Sequence, residues 1–280
     1  MTSSQPSSSQ WQRLLKNTGT WAGSFTQISP QGQILSNVHT EVELTPSESG
    51  KAMHQEVRRY PEGGNPQIQT LDYQSLNRAT LFFEDGAFSQ GSMQWGPFSS
   101  FGAELGLISE NRRLRLVQLF EKNALKPITL IREGLKGAES SVRPPLKLSD
   151  LLGTWKGEAI TQYADLRPET SSITQLTVEQ TSNGQIHQTI HLGAGIPAIS
   201  STGRVDGHRI LFQEGSQPVQ VLLLPDGASS TCPTVITPRQ PIFLEAGWLL
   251  SSHTRQRLIR SYDTAGAWVS LTLVTEQKDH

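Results

Sequence analysis

Along most of this chain apolar and polar residues alternate with a period of two, the spacing of a strand with one face buried. In the first half the alternation covers residues 21–25, 38–44, 53–60, 67–73 and 80–84, then 88–95, 101–108, 114–120 and 128–132. Turn-forming residues fall between these runs, at Pro30, Gly32, Pro46, Gly50, Gly63, Pro66 and Asp85-Gly86. Only residues 11–16 read as a helical turn, broken by Asn17 and Gly19. Short strands without intervening helices predict an antiparallel up-and-down barrel or sandwich, not parallel βαβ units.

Residues 138–147, with Ser140-Ser141 and Pro144-Pro145, have little to bury and read as a linker. The alternation then resumes over 154–162, 173–180, 185–192, 209–213 and 219–224, and again over 234–237, 242–250, 257–262 and 268–276. Asn183-Gly184 and Asp226-Gly227 signal hairpins, because both dipeptides tolerate positive φ.

The second half repeats the first. Gly19-Thr20-Trp21-Ala22-Gly23 returns as Gly153-Thr154-Trp155-Lys156-Gly157, an offset of 134. Asp85-Gly86-Ala87 returns at Asp226-Gly227-Ala228 and Glu104-Leu105-Gly106 at Glu245-Ala246-Gly247, both at 141. Arg113-Leu114-Arg115-Leu116 matches Arg255-Gln256-Arg257-Leu258 at 142. Ordered matches at a nearly constant offset imply tandem duplication of one β unit. The organisation expected is a disordered tail over 1–10, a first barrel over 11–137, a linker over 138–147 and a second barrel over 148–278.

The Gly-x-Trp on the opening strand of each unit resembles the lipocalin/calycin signature. That resemblance implies two tandem calycin-like antiparallel barrels. Trp21 and Trp155 would plug one end of each, with a late-strand arginine across the ring. Phe82-Phe83-Glu84-Asp85-Gly86-Ala87-Phe88-Ser89-Gln90-Gly91-Ser92 and Arg257-Leu258-Ile259-Arg260-Ser261-Tyr262 are similar to an uncharacterised family of tandem calycins from cyanobacteria and other photosynthetic lineages. The second half is also similar, more distantly, to bilin lyases and nitrobindin-type haem proteins, through its Gly-Thr-Trp-x-Gly opening.

Composition narrows the function classes. With 18% charged residues and a formal net charge of −1, neither half resembles a nucleic-acid tail. No apolar run approaches the roughly 20 residues of a membrane span. The Ser/Gln-rich start lacks the apolar stretch of a secretory signal. The lone Cys232 rules out an internal disulfide framework, and a cytoplasmic location is expected.

Candidate chemistry rests on arginines. Arg113 and Arg115 share a strand face with Val117 and Leu119. Arg255 and Arg257 share one with Ile259 and Ser261, opposite Leu258, Arg260 and Tyr262. Two readings stand: anion capture at a barrel mouth, or arginines on a solvated face or stacked on the plug tryptophans. Glu104 is expected opposite Arg115, and Glu245 near Arg257 or Arg260. Trp95 and Phe98 in the first half, and Trp248 and Trp268 in the second, offer aromatic walls or core filling. His187 and His191 lack further ligands, so no metal site is expected. Cys232 has no activating neighbour. Gly-x-Ser-x-Gly is absent.

The leading expectation is a binding protein for a small, largely apolar molecule with an acidic head group, such as a fatty acid, isoprenoid or tetrapyrrole. The second barrel is favoured, through Glu245, Trp248, Arg255, Arg257, Arg260, Tyr262 and Trp268. A lyase or isomerase using Glu245 and Tyr262 as proton donors is an alternative, as is an interaction module with packed barrels. No cofactor or protein partner is named by the sequence.

Overall fold

The structure, a computed structural model, describes residues 8–139, 141–193 and 195–279. Of the expected tail, residues 1–7 lie outside the described residues. Ser8 to Gln10 are structured: Ser9 caps helix α1 (Gln10–Leu14) in a capping box with Gln12.

The first half contains β1 (Gly19–Ile28), β2 (Ile34–Pro46), β3 (Met53–Tyr60), β4 (Gln67–Tyr73), β5 (Thr80–Phe82), β6 (Phe88–Gly91), β7 (Phe101–Ser109), β8 (Arg112–Glu121), β9 (Ala124–Leu125) and β10 (Ile128–Leu135). After a short helix α2 (Leu148–Leu151) come β11 (Gly153–Tyr163), β12 (Thr170–Gln180), β13 (Ile186–Leu192), β14 (Ile199–Asp206) and β15 (Arg209–Phe212). They are followed by β16 (Val219–Leu223), β17 (Ala228–Pro233), β18 (Ile242–Leu249), β19 (Thr254–Tyr262) and β20 (Trp268–Lys278). The fold is all-β, as the alternation predicts, and two-barrelled, as the duplication and the calycin resemblance imply. The second half is a closed barrel, β11 through β20 in sequence order. The first half curls the same way but stays open, in the order β4-β3-β2-β1-β10-β8-β7-β6-β5.

The ladders of the two halves share one register. Trp21 lies opposite Val42 and Val42 opposite Val57, as Trp155 lies opposite Leu176 and Leu176 opposite Ile190. Leu81–Ser89–Leu105–Leu116 runs across β5 to β8 as Leu222–Ser230–Ala246–Leu258 runs across β16 to β19. The difference is local. Tyr73 and Leu81 bracket eight steps of chain, whereas their counterparts Gly203 and Leu222 bracket nineteen, and β15 lies in that excess. The first half has no strand there to join β4 to β5.

The repeated pentapeptide has a steric reason. A Cβ on Gly23 would lie 1.8 Å from the Arg132 carbonyl oxygen, and one on Gly157 would lie 2.2 Å from that of Thr275. Each second glycine of the motif therefore lets the first strand of its unit press against the last.

The sequence misplaces two strands of the second half. The alternation does not mark β14, and it predicts a strand over 234–237 where β17 ends at Pro233. Both segments, Ile199–Asp206 and Ala228–Pro233, are rich in Ser and Thr and carry no apolar alternation.

The two barrels pack outer wall to outer wall. Leu105, Leu107, Leu114, Leu116 and Phe120 of β7 and β8 share one buried cluster with Leu244, Ala246, Trp248, Leu258 and Tyr262 of β18 and β19. Backbone bonds cross the same seam, with Trp268 N–H donating to the Met93 carbonyl at 2.8 Å and Ile236 N–H to that of Asn123 at 2.8 Å. The expected linker is strapped down at Leu146, which is buried and donates to the Leu224 carbonyl at 3.0 Å.

Candidate binding site

Because the leucine face of β8 is taken by the seam, its arginine face points into the first half-barrel, and the same holds for β19 in the second. Each lumen consequently holds a buried charge cluster. In the first, Glu133 accepts from Arg113 Nε at 2.8 Å and from Arg115 Nη2 at 2.7 Å, while Arg115 Nη1 reaches Glu104 at 2.7 Å. In the second, Glu276 accepts from Arg255 Nη2 at 2.6 Å and Arg257 Nη2 at 3.0 Å, while Arg257 Nη1 reaches Glu245 at 3.3 Å. Arg113 lies over the Trp21 ring at 4.6 Å and Arg255 over Trp155 at 4.4 Å. Both tryptophans are buried, and their indole N–H groups donate to Asn17 and Leu151 carbonyls at 2.9 Å.

Charge balance follows the geometry. Burial alone would raise the Glu133 and Glu276 pKa values, but the flanking guanidinium charges and hydrogen bonds outweigh it and hold both carboxyls below the usual range. Burial also acts against the charge of Arg115 and Arg257, yet two carboxylates around each raise their pKa. For Arg113 and Arg255, which each bond a single carboxylate, burial wins and the pKa falls.

Glu133 and Glu276 were not among the residues singled out from sequence. A signal was present: Ile131-Arg132-Glu133 and Val274-Thr275-Glu276 stand 143 apart, continuing the offsets of 141 and 142. The expected pairing of Glu104 is off by two residues. Glu104 lies opposite Val117 and Arg115 opposite Gly106, because the hairpin turns at Glu110-Asn111, and the ion pair forms diagonally. Glu245 pairs with Arg257, not with Arg260.

The second lumen contains a cavity of about 330 Å³. Its walls are Leu176, Ile186, Ile190, Ile210, Phe212 and Val221, and its polar groups include Gln188, Ser201, Thr231, Glu245, Arg255 and Arg257. Three residues of the expected second-barrel site are therefore brought together there. The other four are not. Trp248, Arg260, Tyr262 and Trp268 face the seam between the barrels and are buried in it. Arg260 Nη1 donates to the Ala79 carbonyl at 3.1 Å, Nη2 to that of Ser92 at 3.2 Å, and its guanidinium lies 3.6 Å over Trp268. Tyr262 donates to the Ser92 carbonyl at 3.0 Å, so it and Glu245 do not share one pocket. In the first half, Arg113 and Arg115 line the open lumen. Trp95 packs at the seam beside Gly266, and the Phe98 side chain is fully exposed. Cys232 is buried, and burial pushes its thiol up to about 12.

A double β-barrel with one closed ladder of strands, and a buried arginine–glutamate cluster in each half, is the class this geometry defines. The chain belongs to the DUF3598 family. It is 45% identical to a family protein of unknown function from Nostoc punctiforme, with a TM-score of 0.91 over 98% of this chain and 100% of that one. Residues 7–138 match the domain of unknown function DUF3598, N-terminal. Residues 142–279 match the family described as biogenesis factor required for ATP synthase 1, C-terminal domain. The S-type phycobiliprotein lyase CPES from Guillardia theta aligns at 11% identity and a TM-score of 0.36, over 47% of this chain and 90% of that one. No curated protein matches the chain.

Proposed function

We propose that the chain is a binding protein whose second barrel holds a small, largely apolar molecule with one polar end. The observation that carries this reading is the cavity within the closed second barrel, apolar along its walls and polar where Gln188, Ser201, Thr231 and the charge cluster meet. Such a pocket takes its affinity from apolar contact and its orientation from a few polar groups. At about 330 Å³ it sits near the lower end of ordinary ligand cavities, roughly 300–1,000 Å³. That favours a single-chain lipid or isoprenoid over a tetrapyrrole. An acidic end would compete with Glu245 for Arg257, whose 3.3 Å bond is looser than the 2.6 Å bond between Arg255 and Glu276.

The test is native mass spectrometry of the purified protein, with a fluorescent fatty acid titrated into wild type and Ser201→Trp. Ser201 lines the cavity, so the indole should fill it and abolish saturable binding while the melting temperature stays within a few degrees. Unchanged binding in Ser201→Trp would remove the ligand from this lumen.

A second reading, participation in assembly of ATP synthase, is favoured by the match of residues 142–279 to the biogenesis-factor family. It predicts that the tagged chain co-purifies with ATP synthase subunits and that its loss lowers assembled enzyme. Normal enzyme levels without the chain would overturn it.

A further inference from the structure

The first half-barrel, which the proposed function leaves unused, has its own cavity of about 570 Å³ on the concave side of β1 to β4, β8 and β10. A smaller one of about 360 Å³ adjoins it, and both are lined by Gln55, Leu71, Glu104 and Arg115. Arg59 and Arg115 both lie against the Phe25 ring, at 5.4 and 5.5 Å. They differ in what else they hold. Arg115 is committed to Glu104 and Glu133. Arg59 has, among the described residues, no carboxylate within ion-pairing distance. Deeper in, the buried Arg113 lines the smaller cavity with its Nη2 lacking a hydrogen-bond acceptor.

An arginine resting on a ring with its head in water is a common surface arrangement. Three observations argue for more than that here. Arg115 already covers Phe25, so the ring does not need Arg59. Among the described residues, Arg59, Arg113 and Arg115 face only Glu104 and Glu133, leaving one cation in excess around the lumen. In the second half, strands β11 to β14 correspond in register to β1 to β4 and do not carry the arrangement. Ladder register sets Phe25 against Ala159, Arg59 against Leu192 and Gln69 against Ile199. Where the second half places Leu192 and Ile199, the first offers a guanidinium and the amide of Gln69, with the amides of Gln27 and Gln55 lining the same cavity.

We propose that the first half-barrel binds a small polar anion, a carboxylate or phosphate, gripped by Arg59. A guanidinium fork matches either group with paired hydrogen bonds, and the glutamine amides donate to the remaining oxygens. This site is separate from the apolar lumen of the second barrel and does not depend on it.

Arg58 and Arg59 supply a control within one strand. Arg58 points to the outer face, where it pairs with Glu41, Glu43 and Glu56. Isothermal titration at low salt with inorganic phosphate and with succinate should give saturable binding of at least one to the full-length wild type. Arg59→Gln should weaken it roughly tenfold or more, the scale of a lost hydrogen bond to a charged group. Arg58→Gln and the lumen-filling Ser201→Trp should leave it unchanged. Which anion saturates decides between the two sources. No saturable binding of either anion by wild type, or equal weakening in Arg58→Gln and Arg59→Gln, would overturn the proposal.

Discussion

Glu276 shows what a buried charge does in this fold. It has no exposed surface and bonds both Arg255 and Arg257. Such a triad is held together by mutual compensation, so removing one partner leaves a desolvated charge behind. Glu276→Gln should destabilise the protein by about 3–5 kcal/mol at neutral pH. The pH dependence has a definite sign. The folded carboxyl titrates below its ordinary value of 4.5, so its stabilising contribution is fully present above that value. It fades as pH falls from 4.5 towards the lower folded value. Urea unfolding at pH 7 and near pH 3 checks this. The gap between wild type and Glu276→Gln should narrow in acid, and a gap that widens would show that the carboxylate is not held by its arginines. The same logic revises the part given to Arg257. It spans Glu245 and Glu276, so truncating it weakens the barrel itself and is a poor isolated probe of ligand binding.

Among the elements, β4 and β14 are the instructive pair. Gly203 to Asp206 of β14 pair with β15 on one side, while β4, paired on its other side with β3, presents a free edge. Its residues are almost all exposed, Ile68 and Leu71 included. The matching edge of β5 is covered: Gln10 of α1 accepts from Phe82 N–H at 2.6 Å and donates to the Phe82 carbonyl at 3.1 Å. Hydrogen exchange should separate the two strands. Amides of β4 pointing away from β3 should exchange on the order of 100-fold faster than those of Gly203 to Asp206 that bond β15. Equal protection would mean that something covers β4 in solution. The duplication was legible in sequence, and so was this asymmetry in outline. The offset jumps from 134 to 141 between the pentapeptide and Asp-Gly-Ala, a net excess in the second copy within which β15 is found. What alternation could not supply was which face of a strand looks inward. Both faces of β8 are buried, one by the seam and one by the lumen, so hydrophobicity does not mark the inside. Parity did place Arg260 and Tyr262 opposite Arg257, which already barred all three from one pocket.

At the scale of the molecule, the seam makes two barrels one folded body. Apolar packing between β7, β8, β18 and β19 is supplemented by latches that join the halves. Arg112 pairs with the buried Asp226, and Asp226 also accepts from Arg143 N–H of the connecting segment at 2.6 Å. Arg143 lies over the Trp248 ring at 4.7 Å, and the Trp248 indole N–H donates to the Asp226 carbonyl at 3.0 Å. Arg260 is the corresponding latch at the other end. Fully buried in the second half, it bonds Ala79 and Ser92 of the first and stacks on Trp268. Arg260→Ala would take from the Ala79 carbonyl and the Tyr262 hydroxyl the donor that Arg260 supplies, and would leave the Ser92 carbonyl held by the Tyr262 hydroxyl alone. Each buried group deprived of its partner costs about 1–3 kcal/mol. The variant should therefore be destabilised by several kcal/mol, and the halves should lose cooperativity, with one unfolding transition broadening or splitting in two. Its lumens should be untouched, because Arg260 lines neither of them. Calorimetry of Arg260→Ala, with fatty-acid titration well below its melting temperature, tests both parts. Lost binding in a protein that melts like wild type would return Arg260 to the ligand site and move the pocket towards the seam. Retained binding in a protein whose halves unfold apart would confirm that this arginine joins the barrels.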